Sequence, residues 1–201
     1  MTEHHRFLLK LRLEHYEQLE AYVERLNTRI GEALAPSVEV RKLLETIPGI
    51  AQRAAEVIMA EVGTDVKPFR TSEHLASWAG LCPGNNESAG KRKSGQTTKG
   101  NSALRTALVE AAWAATRTKG TYLGTKYHRL VKRMPKKKAL VAVAHTMLVI
   151  VYHLLSRRVA YTELGSGYVD RQQVERQRRR LVERLAGLGV KVTIEEVAEV
   201  A

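Results

Sequence analysis

Residues 80–101, GLCPGNNESAGKRKSGQTTKGN, hold the densest set of groups able to do chemistry in this chain. Hydroxyls stand at Ser88, Ser94, Thr97 and Thr98, and cations at Lys91, Arg92, Lys93 and Lys99. The glycines and asparagines leave backbone amides unobstructed, so several can converge on one anion. Asn101 is placed to cap the helix that follows, and that helix turns its positive end back toward the loop. Arg105, one helical turn on, can face the same way. These groups suit a nucleic-acid phosphate, with a serine hydroxyl as donor or as nucleophile. A nucleotide P-loop is excluded, because it needs Gly, four residues, Gly-Lys and Ser or Thr after a strand. No Ser–His–Asp order is readable, since His128 and His145 can lie anywhere in space. The plainer reading is a solvated basic loop, disordered until phosphate binds it.

The whole composition points the same way. Lys and Arg number 33 against 21 Asp and Glu in 201 residues, a net charge of +12. Such an excess favours a polyanionic partner, most often nucleic acid. The single cysteine, Cys82, permits no intrachain disulfide and no cysteine-based metal cluster. Between Leu81 and Pro83 it reads as a small buried hydrophobe. The N-terminus, MTEHHRFLLKLRLEHYEQ, is charged throughout with no apolar signal core, so export is not expected. The stretch ALVAVAHTMLVIVYHLLS is nearly long enough to span a bilayer, but His145, Thr146 and His153 interrupt it. It reads as a buried core helix, and the location as cytoplasmic and nucleoid-associated.

The elements that must position the loop are helical. Residues 7–34 read as one long helix with Leu9, Tyr16, Val23 and Ile30 every seven residues and Leu19, Leu26 and Ala33 in the second seam position. That is coiled-coil spacing, equally compatible with an amphipathic helix packed on its own domain. Pro36 ends it. In VRKLLETIPGIAQRAAEVIMAEVG, two short helical patterns flank Pro48, Gly49 and Ile50, the form of a helix-hairpin-helix. Gly49 allows the tight turn, and the second helix would offer its amides to a DNA phosphate. TSEHLASWAGL follows, capped by Thr71 or Ser72, with Leu75, Trp78 and Ala79 on its apolar face. SALRTALVEAAWAATRT shows helical spacing through Leu104, Leu108, Ala111 and Ala115, and its alanines suggest a closely approaching helix. A basic run at 126–138, the core helix, a turn-rich linker and a strongly basic helix complete the order, and VKVTIEEVAEVA has room for a short strand. The expected fold is mostly α: a long coiled-coil-like helix (1–36), a compact helical domain containing the helix-hairpin-helix and the serine loop (37–160), and a basic helix and tail (161–201).

LLETIPGIAQRAAEVIMAEVG, FRTSEHLASWAGLCPGNNESAGKRKSGQTTKGNSALRTALVEAAWAA and AVAHTMLVIVYHLL together resemble the C-terminal domain of a bacterial insertion-sequence transposase family that includes pilin-gene inversion recombinases. The block at 80–101 is the specific part. Members pair an N-terminal RuvC-like domain, bearing a DEDD acidic tetrad, with this second domain through a coiled coil. The resemblance implies a serine that attacks DNA and becomes covalently joined to it. After the turn Gly80-Leu81-Cys82-Pro83 the matching residue is Ser88, with Ser94 as runner-up; Ala89 stands where many members have Gly. Lys91, Arg92, Lys93, Lys99, Asn101 and Arg105 would contact DNA, as would Pro48, Gly49 and Ile50.

The resemblance also implies Mg2+ held by the acidic domain and a guide RNA that bridges two DNAs. No acidic tetrad is assignable here: Glu45, Glu56, Glu61 and Asp65 read as surface and turn charges. No metal is assigned to these 201 residues. The expectation is a transposase fragment, homo-oligomeric through the first helix and inactive alone. The rival is a non-catalytic DNA- or RNA-binding remnant.

Overall fold

The computed structural model describes residues 1–84 and 86–189, without the side chains of Asn86, Arg92, Lys93 and Gln173. The expected strand at the C-terminus falls in 190–201, outside the described residues. The described chain is mostly helical. Helix α1 (Glu3–Leu34) is capped by Thr2, whose hydroxyl accepts from the His5 amide. Pro36 stops it through a single 3-10 turn, Ala35–Ser37. Helix α2 (Val38–Glu45) follows. Contacts divide the chain into two compact units, 1–42 and 43–201, with the boundary inside α2.

In the first unit, α1 has no buried residue. Its seam side chains Leu9, Tyr16, Leu19, Val23 and Leu26 are all exposed. An apolar seam this long is stable in water only when something covers it.

The second unit holds the core. Helices α3 (Gln52–Val62) and α4 (Ser72–Trp78) precede a two-stranded ribbon, β1 (Asn86–Ser88) and β2 (Lys91–Ser94). Helices α5 (Ser102–Ala115), α6 (Tyr122–Leu130), α7 (Lys136–Arg157) and α8 (Tyr168–Ala186) follow. α7 is the centre, packed by α4, α5 and α6; α3 lies on α5, and α8 on α6. Leu104 and Leu108 of α5 and Val143, Met147, Leu148 and Val151 of α7 are fully buried. α7 is long and apolar enough to cross a membrane by length and composition. Its buried face is nonetheless the middle of this helical core.

Alanines bring α5 and the α2–α3 turn into backbone contact. Gly49 has φ +89, and a Cβ there would lie 2.2 Å from the Ala111 carbonyl oxygen and 2.7 Å from the Ala115 nitrogen. The turn therefore seats against α5. Ile50, beside it, is buried. Trp78 departs from the sequence expectation: it is 42% exposed and tilts against Phe69 at 5.4 Å, while Leu75 and Ala79 are buried as expected. Tyr152 of α7 holds that segment by donating to the carbonyls of Phe69 and Arg70, 3.2 Å each.

Candidate nucleic-acid interface and serine hairpin

The loop at 80–101 is a built hairpin, not the disordered segment its composition suggested. β1 and β2 pair antiparallel with Asn86 opposite Ser94, Glu87 opposite Arg92 and Ser88 opposite Lys91. A register irregularity between Asn86 and Glu87 leaves Lys93 as the extra residue of a bulge. Further down, Pro83 bridges Thr97, and the Gly84 amide donates to the Gln96 carbonyl at 2.8 Å. At the base the two arms touch through glycines. A Cβ on Gly100 would lie 2.3 Å from the Gly80 nitrogen, so only glycine fits there.

The tip is a two-residue turn, Ala89 and Gly90, with φ +51 and +71. Two consecutive positive φ values match a type I′ turn, which suits the twist of a two-stranded ribbon. Glycine is the usual residue for such positions, and Ala89 takes one at a cost of about 1 kcal/mol. Ser88 is the residue just before this turn and is exposed. Lys91 is just after it, also exposed, and directly opposed residues of a ribbon share a face. The turn thus sets one hydroxyl and one ammonium side by side at the end of a projecting arm. Ser94 is half-buried, and its Oγ accepts from the Gln96 amide at 3.1 Å, so it braces the arm. Lys99 is exposed near the base. The Arg92 and Lys93 side chains lie outside the described residues.

Asn101 caps α5 by accepting from the Leu104 amide at 2.9 Å. Its amide group donates to Glu61 of α3. Both ends of that side chain hold the scaffold on which the hairpin stands. Glu56 is not the surface charge it resembled: it is buried and accepts from Gln52 at 2.8 Å. Arg105 does face the loop. It lines a cleft of about 900 Å³ with Pro83, Gln96 and Thr97 of the hairpin base and Lys126, Lys138 and His145 of the helices beyond. Burial pulls the His145 imidazole below its ordinary value, and the nearby Lys126 charge adds to this, partly offset by Glu73. Burial likewise lowers Lys126, with Arg176 contributing. Burial thus keeps His145 in its neutral form and leaves Lys126 a cation held short of countercharge, a setting that an entering phosphate would relieve. Burial raises the Cys82 thiol, with the Glu73 carboxylate adding to the rise. That suits an inert packing residue.

Sequence reasoning found Arg105 from helical spacing. It missed Lys126 and His145, whose approach to the hairpin depends on how α6 and α7 pack. Among the described residues, no group of three His, Cys, Asp or Glu side chains could hold a metal ion. The residues described therefore do not fit a Mg2+ site of their own.

Residues 41–129, from α2 through nearly all of α6, match the Transposase IS116/IS110/IS902 family, so this stretch carries a domain of that family. A "Probable family 20 transposase" of Pseudomonas aeruginosa is 30% identical over 158 residues, covering 77% of this chain and 46% of that protein. A "Transposase for insertion sequence element IS1111A" of Coxiella burnetii is 31% identical over 134 residues, 65% of this chain and 36% of its own length. A "Pilin gene-inverting protein" of Moraxella bovis is 32% identical over 120 residues, 56% and 36% of the two chains. The chain spans less than half the length of each of these relatives.

Proposed function

We propose that, with its transposase-family domain as premise, this chain is the serine-bearing part of a DNA transposase or recombinase, with Ser88 as nucleophile. The observation that carries this reading is the hairpin tip, where exposed Ser88 stands opposite Lys91 on a ribbon anchored at both ends. The Ser88 Oγ forms a bond to phosphorus while the bond from phosphorus to the leaving DNA oxygen breaks. The serine proton passes to a base, and the leaving oxygen takes up a proton. Lys91 draws charge from the phosphate oxygens as they crowd, the main need of phosphoryl transfer. Lys99, Arg105 and Lys126 hold the flanking backbone. Because no metal site fits the described residues, no step is assigned to a metal here; an acidic partner domain is the proposed source of one. An RNA partner is part of the same reading.

The test is to trap and map the adduct. The chain is mixed with element-end DNA, Mg2+, the candidate RNA and a separately supplied RuvC-like domain, then denatured and digested with trypsin. Cleavage after Lys91, Arg92 and Lys93 puts Ser88 and Ser94 in different peptides. A nucleotide on the Ser88 peptide is the expected result. One on the Ser94 peptide moves the nucleophile. No adduct, with salt-sensitive DNA binding intact, leaves a binding module without chemistry.

The exposed seam of α1 adds self-association. In sedimentation, the chain is expected to run as a dimer or larger. Leu19→Asp with Leu26→Asp is expected to lower its self-affinity at least about a hundredfold, since each charge would face an apolar partner at about 1.4 kcal/mol or more. A monomeric parent chain would sink this part of the reading.

A further inference from the structure

Helices α6 and α8 enclose a groove of about 520 Å³ lined by Tyr122, Lys126, Arg129, Arg133, Arg176 and Arg180, with polar Gln172 and Gln177 among its walls. Spacing makes the α8 wall one stripe, because 172, 176 and 180 recur every four residues. One α8 carboxylate reaches the groove and neutralises a groove arginine; the others are placed elsewhere. Asp170 pairs with Arg129 at 2.9 Å. Glu175 accepts from Arg179 at 3.3 Å. Glu183 joins these two in a separate depression on α8 with Arg178. What remains facing the groove is cationic. Lys126 lines this groove and also the cleft at the hairpin base, so the two adjoin at that side chain.

We propose that the α6–α8 groove binds the phosphate backbone of the same DNA whose reacting phosphate lies at the Ser88 hairpin. This rests on the reading of the hairpin as the DNA-reacting site. Three features single out phosphate. Arginine predominates, and its planar fork matches phosphate oxygens bidentately. Apart from Leu130, Val169 and the Tyr122 ring, the walls are cationic or amide side chains, a lining that suits phosphate better than an apolar protein anchor. The groove adjoins, at Lys126, the cleft that Arg105 shares with the hairpin base, so one strand can lie along both. The contact reads no bases and serves to fix position and orientation. The depressed Lys126 ammonium fits an occupant that brings negative charge.

The experiment measures fluorescence anisotropy of a labelled mixed-sequence DNA duplex, and of RNA of the same sequence, over a range of salt. Arg176→Ala with Arg180→Ala is compared with the parent chain, with Arg176→Lys and Arg180→Lys together, and with Lys91→Ala plus Arg105→Ala. Both α8 residues are exposed, so the fold should hold, as helix content and melting will report. Arg133→Ala, on the opposite wall, repeats the test if α8 loosens. The alanine pair is expected to lose about tenfold in duplex affinity at low salt and to flatten the salt slope by about two, while the lysine pair keeps the slope. Unchanged duplex binding in the alanine pair, with weakened binding in the Lys91 and Arg105 variant, overturns the groove but leaves the hairpin reading standing. A loss confined to RNA overturns it as well. If the parent chain binds no duplex at all, the reading of the hairpin fails and the groove falls with it.

Discussion

Ser88→Ala gives no covalent protein–DNA adduct and loses at least about a thousandfold in strand transfer, or about 4 kcal/mol of transition-state stabilisation. Its duplex affinity stays within about twofold of the parent, because no charge is removed. The separation of the two effects follows from where Ser88 lies. It is exposed on an extended segment beside a two-residue turn, and neither its burial nor a core contact supports the hairpin. Deleting its oxygen removes the proposed nucleophile and leaves the arm in place. Ser94→Ala is the contrast. It frees the Gln96 amide from its 3.1 Å partner and loosens the arm, but leaves a nucleophile at the tip. Strand transfer then falls only several-fold, about the effect of one lost neutral hydrogen bond. The measurement is adduct yield and transfer rate beside anisotropy on one DNA. A Ser88→Ala chain that still formed the adduct would end the assignment.

Gly49→Ala carries the largest expected effect on stability. The added methyl would stand 2.2 Å from the Ala111 oxygen and 2.7 Å from the Ala115 nitrogen, both backbone atoms in the middle of the core. Neither can yield without moving the α2–α3 turn off α5. The residue must also keep a φ of +89, which alanine resists. Overpacking and backbone strain together amount to about 3–5 kcal/mol. That is a large share of the roughly 5–15 kcal/mol that holds a domain folded. A fall in melting temperature of roughly 10 °C follows for a unit of this size. The control is Gly31→Ala in α1, where nothing lies within 4 Å of the new methyl. There the same change is expected to stabilise by up to about 1 kcal/mol, because alanine favours the helix. Urea melts of both variants decide it. Equal effects of the same sign would show that the backbone contact at Gly49 is not what holds the turn.

What was legible in the sequence was local. Thr71 and Asn101 announced the starts of α4 and α5 because a cap acts within three residues. Pro36 announced the end of α1, since it has no amide to donate. The hairpin was not legible. Glu87, Ser88 and Lys91 are exposed, and the strands carry no alternation of apolar and polar residues by which a strand is recognised. Its pairing depends instead on a two-residue turn formed at Ala89, a poor residue for it, and on the meeting of Gly80 with Gly100. Gly49 was noticed for its turn, but its contact with α5 lies some sixty residues away in the chain. The α6–α8 groove was hidden for the same reason: α8 read as basic overall, and only docking shows which arginines lie together.

The glycine contact at the foot of the hairpin makes residues 80–100 an interchangeable cassette. Because the arms meet at one fixed point, their length is independent of the core beneath them. Two residues added to or removed from each arm would change how far the serine projects and keep it on the same face of the ribbon. A single-residue change in one arm would instead turn the hydroxyl to the opposite face of the ribbon. Variation among such domains is therefore expected to come in steps of two, and swapping whole arms between relatives is a way to retune reach without redesigning the fold.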